Sequence, residues 1–147
     1  MARARKSDFS LLRMWPREVF EHREGKRLMI AGSEALQLPG VYILYREDEP
    51  YYVGKAGCLF DRLHAHANKM TDRYYPFWTY FSAFAFDETA PNHLQRIDEI
   101  EGILIAAMPR VVNSSTPRWP KHKIPKDIRA TMKKVQAQRA MAAKSGV

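Results

Sequence analysis

A handful of residues carry side chains that move protons, hold anions or bind cations, at spacings that could bring them together. Gly40-Val41-Tyr42 and Tyr52-Val53-Gly54 each place a tyrosine in a β-rich run, and Lys55, Arg62, His66, Glu101 and Asn113 follow. A strand tyrosine is ordinarily a core ring with its hydroxyl at the edge. Lys55, just after the second tyrosine at a strand-to-helix turn, lowers the cost of a phenolate and makes a tyrosine a candidate proton acceptor. Wound at about 100° per residue, the helix predicted from Cys58 to Lys69 puts Leu59, Leu63 and Met70 on one face, with Phe60 and Ala67 at its edge. Arg62 and His66, one turn apart, stack on the opposite edge. There an arginine usually snorkels over the core and a histidine usually lies on the surface; His64 faces solvent and has no role. On the next helix Glu101 falls near the middle of the apolar stripe formed by Leu94, Ile97, Leu104, Ile105 and Met108. A desolvated carboxylate needs compensation, from a divalent cation or from an arginine such as Arg62. In company with the tyrosines, the cation is the better reading. Asp98 and Glu99 sit at the edge and far side, needing no partner.

The elements that would position these residues follow from pattern. Val41–Tyr45 is β-branched and aromatic, Glu47-Asp48-Glu49-Pro50 is turn-like, and Tyr51-Tyr52-Val53 follows, which predicts an antiparallel hairpin. Gly54 and Gly57 let the chain turn into the first helix. Thr79 to Phe86 alternates as a third strand, a second helix runs from about Asn92 to Met108 with Pro109 ending it, and Val111-Val112-Asn113 is a short extended return. Residues 8–22 read as a short helix or arm interrupted by Pro16, and Arg27 to Leu38 as a segment leading to Pro39. Pro117, Pro120 and Pro125 mark a linker before a basic helical tail over 126–143. The expected fold is α+β: a small three-stranded antiparallel sheet flanked by helices, with basic terminal extensions. The expected organisation is an extension over 1–38, the motif-bearing domain over 39–115, and a linker and tail over 116–147.

With 147 residues, 46% hydrophobic and 27% charged, the composition is that of one globular domain. The longest apolar run, Ile103 to Met108, is far too short to span a membrane. A single cysteine, Cys58, leaves no internal disulfide. The basic start (Arg3, Arg5, Lys6) is interrupted by charged residues rather than followed by an apolar signal region, and Glu18, Glu21 and Glu24 argue against a transit peptide. A cytoplasmic location is expected, without membrane association. The net charge of +8 is unevenly spread. Residues 1–38 hold eight Lys/Arg against five Asp/Glu, residues 39–117 seven against ten, and residues 118–147 nine against one. A polyanion would be gripped mainly by the flanks.

Over residues 39–115 these strings resemble the GIY-YIG nuclease family, with valine for isoleucine in both motifs. Tyr52-Val53-Gly54-Lys55-Ala56 followed by Arg62 is similar to the amino-terminal nuclease module of bacterial excision-repair incision proteins. Arg62 with His66 is closer to the GIY-YIG restriction endonucleases, and Glu101, Pro109 and Asn113 fit the family's metal glutamate and trailing asparagine. The resemblance implies an endonuclease, a phosphodiester hydrolase that cuts DNA by one in-line attack of water with one Mg²⁺ or Mn²⁺ ion on Glu101. Tyr42, alone or aided by Lys55 or His66, would accept the proton. Arg62 and Tyr52 would hold the scissile phosphate, and Asn113 would position the phosphate or brace the site. The alternative is a nucleic-acid-binding module that keeps the fold without cutting; the presence of both Arg62 and Glu101 favours catalysis. A purely structural partner-binding domain would leave Glu101 unexplained. DNA is the expected partner, with a dimer on DNA left open.

Overall fold

Phe9–Pro16 is strand β1, where a helix or arm was expected over residues 8–22. The computed structural model describes residues 8–113 and 122–146; Arg3, Arg5, Lys6, Pro117, Trp119 and Pro120 lie outside the described residues. β1 escapes a period-2 reading because its ladder to the neighbouring strand slips between Leu12 and Trp15, with Met14 at φ 54°. The Met14 N–H donates instead to the Ser82 hydroxyl, at 3.0 Å. Such a bulge breaks the alternation that marks a strand, and Pro16 is tolerated because it closes the strand.

After a 3-10 turn over Arg17–Phe20, a miniature hairpin pairs β2 (Arg23–Glu24) with β3 (Arg27–Leu28). Two further 3-10 turns, Met29–Gly32 and Ala35–Gln37, lead to β4 (Gly40–Arg46). β4 turns tightly through Glu47, at φ 56°, into β5 (Glu49–Ala56), forming the expected antiparallel hairpin. Helix α1 (Leu59–Asn68), strand β6 (Tyr80–Phe86) and helix α2 (His93–Ala107) follow. The main sheet is fully antiparallel in the order β1-β6-β4-β5. The α+β class holds, but the sheet has four strands rather than three, because β1 covers the edge that β6 would otherwise expose.

β4 is buried on both faces because both helices pack on it. Tyr42 and Leu44 join Phe81, Ala83, Leu59, Leu63 and Trp78 on the α1 side, while Val41, Ile43, Val53, Phe86 and Ile97 close the α2 side. Two sequence expectations fail at the helix ends: Met70 lies beyond α1 and Leu94 stays outside the core of α2, both exposed. β5 is the edge opposite β1, and the Val112 N–H donates to the Tyr51 carbonyl along it at 2.9 Å. Residues from 118 onward form a unit of their own, containing the 20-residue helix α3 (Lys126–Ser145). Among the described residues, no helix is long and apolar enough to cross a membrane.

Candidate active site

Tyr42 sits opposite Gly54 in the β4–β5 ladder. A Cβ at position 54 would stand 2.3 Å from the Tyr42 Cζ and hydroxyl oxygen, so the glycine is what lets the phenol cross β5. The hydroxyl reaches His66 on α1, 2.8 Å from Nε2. His66 is buried, at 3% exposure, rather than on the rim of its helix. Burial is tolerated because both ring nitrogens are satisfied: Nδ1 lies 2.9 Å from the Asp72 carboxylate. An ionised carboxylate only accepts, so Nδ1 carries the hydrogen and Nε2 is left to accept from Tyr42. Burial lowers the His66 pKa, Asp72 pulls it back up, and Arg62 lowers it further. The imidazole is therefore neutral at neutral pH.

The two tyrosines lie side by side, ring centroids 6.1 Å apart, and Tyr52 meets His66 at 5.9 Å. Tyr52 also stacks on Tyr74 at 4.2 Å. Burial pushes the Tyr42 hydroxyl far above the usual phenol range, with Tyr52 adding to the rise and Arg62 opposing it. Burial also raises Tyr52, with Tyr74 adding to the rise, Arg62 opposing it and Glu101 adding its negative field. Arg62, exposed on α1, is close enough to act on both phenols. It shares a shallow, open cleft of about 400 Å³ with Lys55, Lys69 and Asp61, a cationic landing place for a phosphate.

Glu101 lies on α2 at the β5 edge, half-buried rather than deep in the apolar stripe. Desolvation raises its pKa first of all; Lys55 lowers it and Asp98 raises it. Lys55 follows the parity of Val53 to the α2 side and forms an ion pair with Asp98, which the sequence reading left unpartnered. That pairing raises the Lys55 pKa. The lysine stays charged and cannot serve as a base at neutral pH. Asn113 binds the outer edge of β5: its amide nitrogen donates to the Val53 carbonyl at 2.6 Å and its oxygen accepts from the Val53 N–H at 3.1 Å. Its contacts are those of a brace on the strand that carries Tyr52.

Among the described residues, no group of three His, Cys, Asp or Glu is assembled as a metal cage. A zinc-type ligand set is therefore missing there. Glu101 enters no ion pair among the described residues, yet it is partly desolvated and its charge reaches Tyr52. One such carboxylate fits a hard ion that keeps most of its water, Mg²⁺ or Mn²⁺.

The structure thus brings Tyr42, Tyr52, Arg62 and His66 to the α1 side and Lys55 and Glu101 to the α2 side, with Asn113 on the edge between. Asp72 and Tyr74 escaped sequence reasoning because they act from a loop. The available signal was the density of Asp72-Arg73-Tyr74-Tyr75-Pro76-Phe77-Trp78, where the Tyr74 N–H returns to the Asp72 carboxylate at 2.9 Å in an Asx turn.

No family model matches the chain and no curated protein is a significant match. Two solved structures are similar to it, both of the GIY-YIG N-terminal endonuclease domain of UvrC from Thermotoga maritima. One is bound to magnesium, its catalytic divalent cation, and the other is a point mutant bound to its catalytic divalent cation. Each is 24% identical over 52% of this chain and 86% of that one, with TM-scores of 0.42 and 0.41.

Proposed function

We propose that this protein is a metal-dependent endonuclease that hydrolyses DNA phosphodiester bonds in one step. The observation that carries the reading is the chain Tyr42–His66–Asp72, with links of 2.8 and 2.9 Å, lying beside Tyr52 and Arg62, with Glu101 within electrostatic reach of Tyr52. Water attacks phosphorus as the bond to the leaving oxygen breaks. Burial forbids a standing Tyr42 phenolate. The Tyr42 hydroxyl is closed off from solvent in this structure, so the step requires the attacking water to be admitted with the substrate. The Tyr42 oxygen then takes the proton of that water while its own proton passes to His66 Nε2, and Asp72 stabilises the imidazolium that forms. Arg62 and the Tyr52 hydroxyl hold the phosphate oxygens and offset charge that develops there. Glu101 would hold the ion, which when bound stabilises negative charge on the leaving oxygen. Lys55, paired with Asp98, also supplies a positive charge near Glu101, and Asn113 keeps β5 in register.

Supercoiled plasmid, branched and single-stranded DNA incubated with Mg²⁺ or Mn²⁺, then with EDTA, test the proposal. Cutting is expected only with metal. Arg62→Ala and Glu101→Gln should each lower it about a hundredfold or more with binding little changed. Absence of metal-dependent product on every substrate would leave a binding module with this fold.

A further inference from the structure

A run of aromatic rings leaves the site and ends in solvent. From Tyr52, stacked on Tyr74 at 4.2 Å, it continues edge-on to Tyr51 at 6.1 Å and from Tyr51 to Phe77 at 6.0 Å. Tyr51 and Tyr52 are consecutive in β5 and would point to opposite faces of a regular strand. The register shift between Leu44 and Tyr45 makes Tyr51 an extra residue in the ladder, and the bulge brings it round to the same ring, Tyr74, that Tyr52 meets. The guanidinium of Arg46 lies 5.2 Å from the Tyr51 ring and 5.5 Å from the Phe77 ring, and that of Arg73 lies 5.7 Å from Tyr74. Phe77 remains 44% exposed at the outer end.

We propose that Tyr51 and Phe77, framed by Arg46 and Arg73, stack on an unpaired base, so that the site takes DNA with a single-stranded stretch beside the scissile phosphate. The polymer's identity rests on the nuclease reading; the stacking geometry does not. Arg46 lies over one face of both rings, so a base would meet the other face of the exposed Phe77 and of Tyr51. Exposed rings beside guanidinium groups are what single-stranded nucleic acid uses, because every base has a π-face. A base inside a duplex has both faces already covered by its neighbours. The turn just beyond Arg46 is acidic, with Glu47, Asp48 and Glu49. Charge attraction alone would not seat a polyanion there, so the rings must supply the hold.

The full chain in EDTA, which prevents cutting, is titrated with a blunt duplex and with the same duplex carrying a single-stranded arm that contains 2-aminopurine. Binding of the armed substrate is expected to be tighter and to quench the 2-aminopurine. Phe77→Leu, which keeps an apolar side chain and removes the π-face, should abolish the quench and weaken armed-substrate binding about tenfold. It should leave blunt-duplex affinity and the salt dependence unchanged, and Phe77→Trp should restore both quench and affinity. Tyr51→Leu, with fold checked by circular dichroism, supplies an independent second variant expected to behave as Phe77→Leu does. Equal binding of the two substrates without quenching, or a Phe77→Leu loss of the same size on both, overturns the proposal. A failure to cleave in the metal assays would sink the nuclease reading and leave this binding result intact.

Discussion

Both motif glycines are positions where a side chain has no room. A Cβ at Gly40 would stand 2.0 Å from the Phe84 carbonyl oxygen, and one at Gly54 would strike the Tyr42 phenol. Gly54→Ala must therefore push the phenol off His66. A stability loss of about 1–3 kcal/mol is expected from overpacking, read by urea denaturation. The larger effect should be on single-turnover cleavage, since the Tyr42–His66 link is lost. His66 gives the site a pH signature. Its pKa lies below 6.5 because burial and Arg62 outweigh Asp72, so cleavage should rise with pH along an acid limb centred below 6.5. Asp72→Asn removes the one raising influence. The limb should move to still lower pH, while the plateau falls by at least about tenfold because the imidazolium is no longer stabilised. Stability follows the same sign. As pH falls below 6.5 the unfolded histidine takes the proton first, so stability declines from there to the folded-state pKa and then levels off. An acid limb above pH 7, or one unmoved by Asp72→Asn, would remove His66 from the relay.

The loop over residues 69–79 is the element on which the site depends most, and it is held from the far end of the chain. Arg17, just after β1, donates to the carbonyls of Ala67 at 2.9 Å and Trp78 at 3.3 Å and to that of Tyr75, while its own N–H donates to Thr79. A planar guanidinium can bridge several carbonyls where a lysine could not. Arg17→Met keeps the apolar stem and removes the donors. Hydrogen exchange across 69–79 should speed up, global stability should fall by about 2 kcal/mol, and cleavage should drop because Asp72 and Tyr74 lose their anchorage. Unchanged exchange in that loop would refute the clamp. The hairpin, α1, β6 and α2 were legible from the sequence because β-branched runs and a 3.6-residue apolar repeat report directly on local packing. β1 was not, since the bulge at Met14 and the closing Pro16 erase its alternation. His66 was misplaced because what buries it is a loop folding back, a tertiary event that helical phase does not contain. Asp72 was missed because its partner lies on α1, and Lys55 was given the wrong neighbour because strand parity, which sends it to Asp98, depends on register.

At the scale of the whole molecule, charge is arranged against the site. Residues 39–117 carry seven Lys/Arg against ten Asp/Glu, whereas residues 118–147 carry nine against one. The helix α3 alone presents Lys126, Arg129, Lys133, Lys134, Arg139 and Lys144 with only Asp127 opposing them. The unit that holds the site, residues 1–117, carries fifteen Lys/Arg against fifteen Asp/Glu, so it exerts no net long-range pull on a polyanion even though its cleft holds Lys55, Arg62 and Lys69. Affinity for DNA should therefore come largely from the tail, through phosphate contacts that release counterions. Each phosphate neutralised steepens the log–log salt dependence by about 0.9 on duplex DNA. Deleting residues 118–147 should weaken binding and flatten that slope by several such steps. Cleavage at low salt, with saturating enzyme, should persist, because Tyr42, Tyr52, Arg62, His66, Asp72 and Glu101 all belong to the other unit. Circular dichroism and thermal melting on the truncated chain establish whether that unit stays folded alone. A folded truncation with unchanged affinity and salt slope would show that the tail does not grip DNA, and the cleft cations would then have to do so alone.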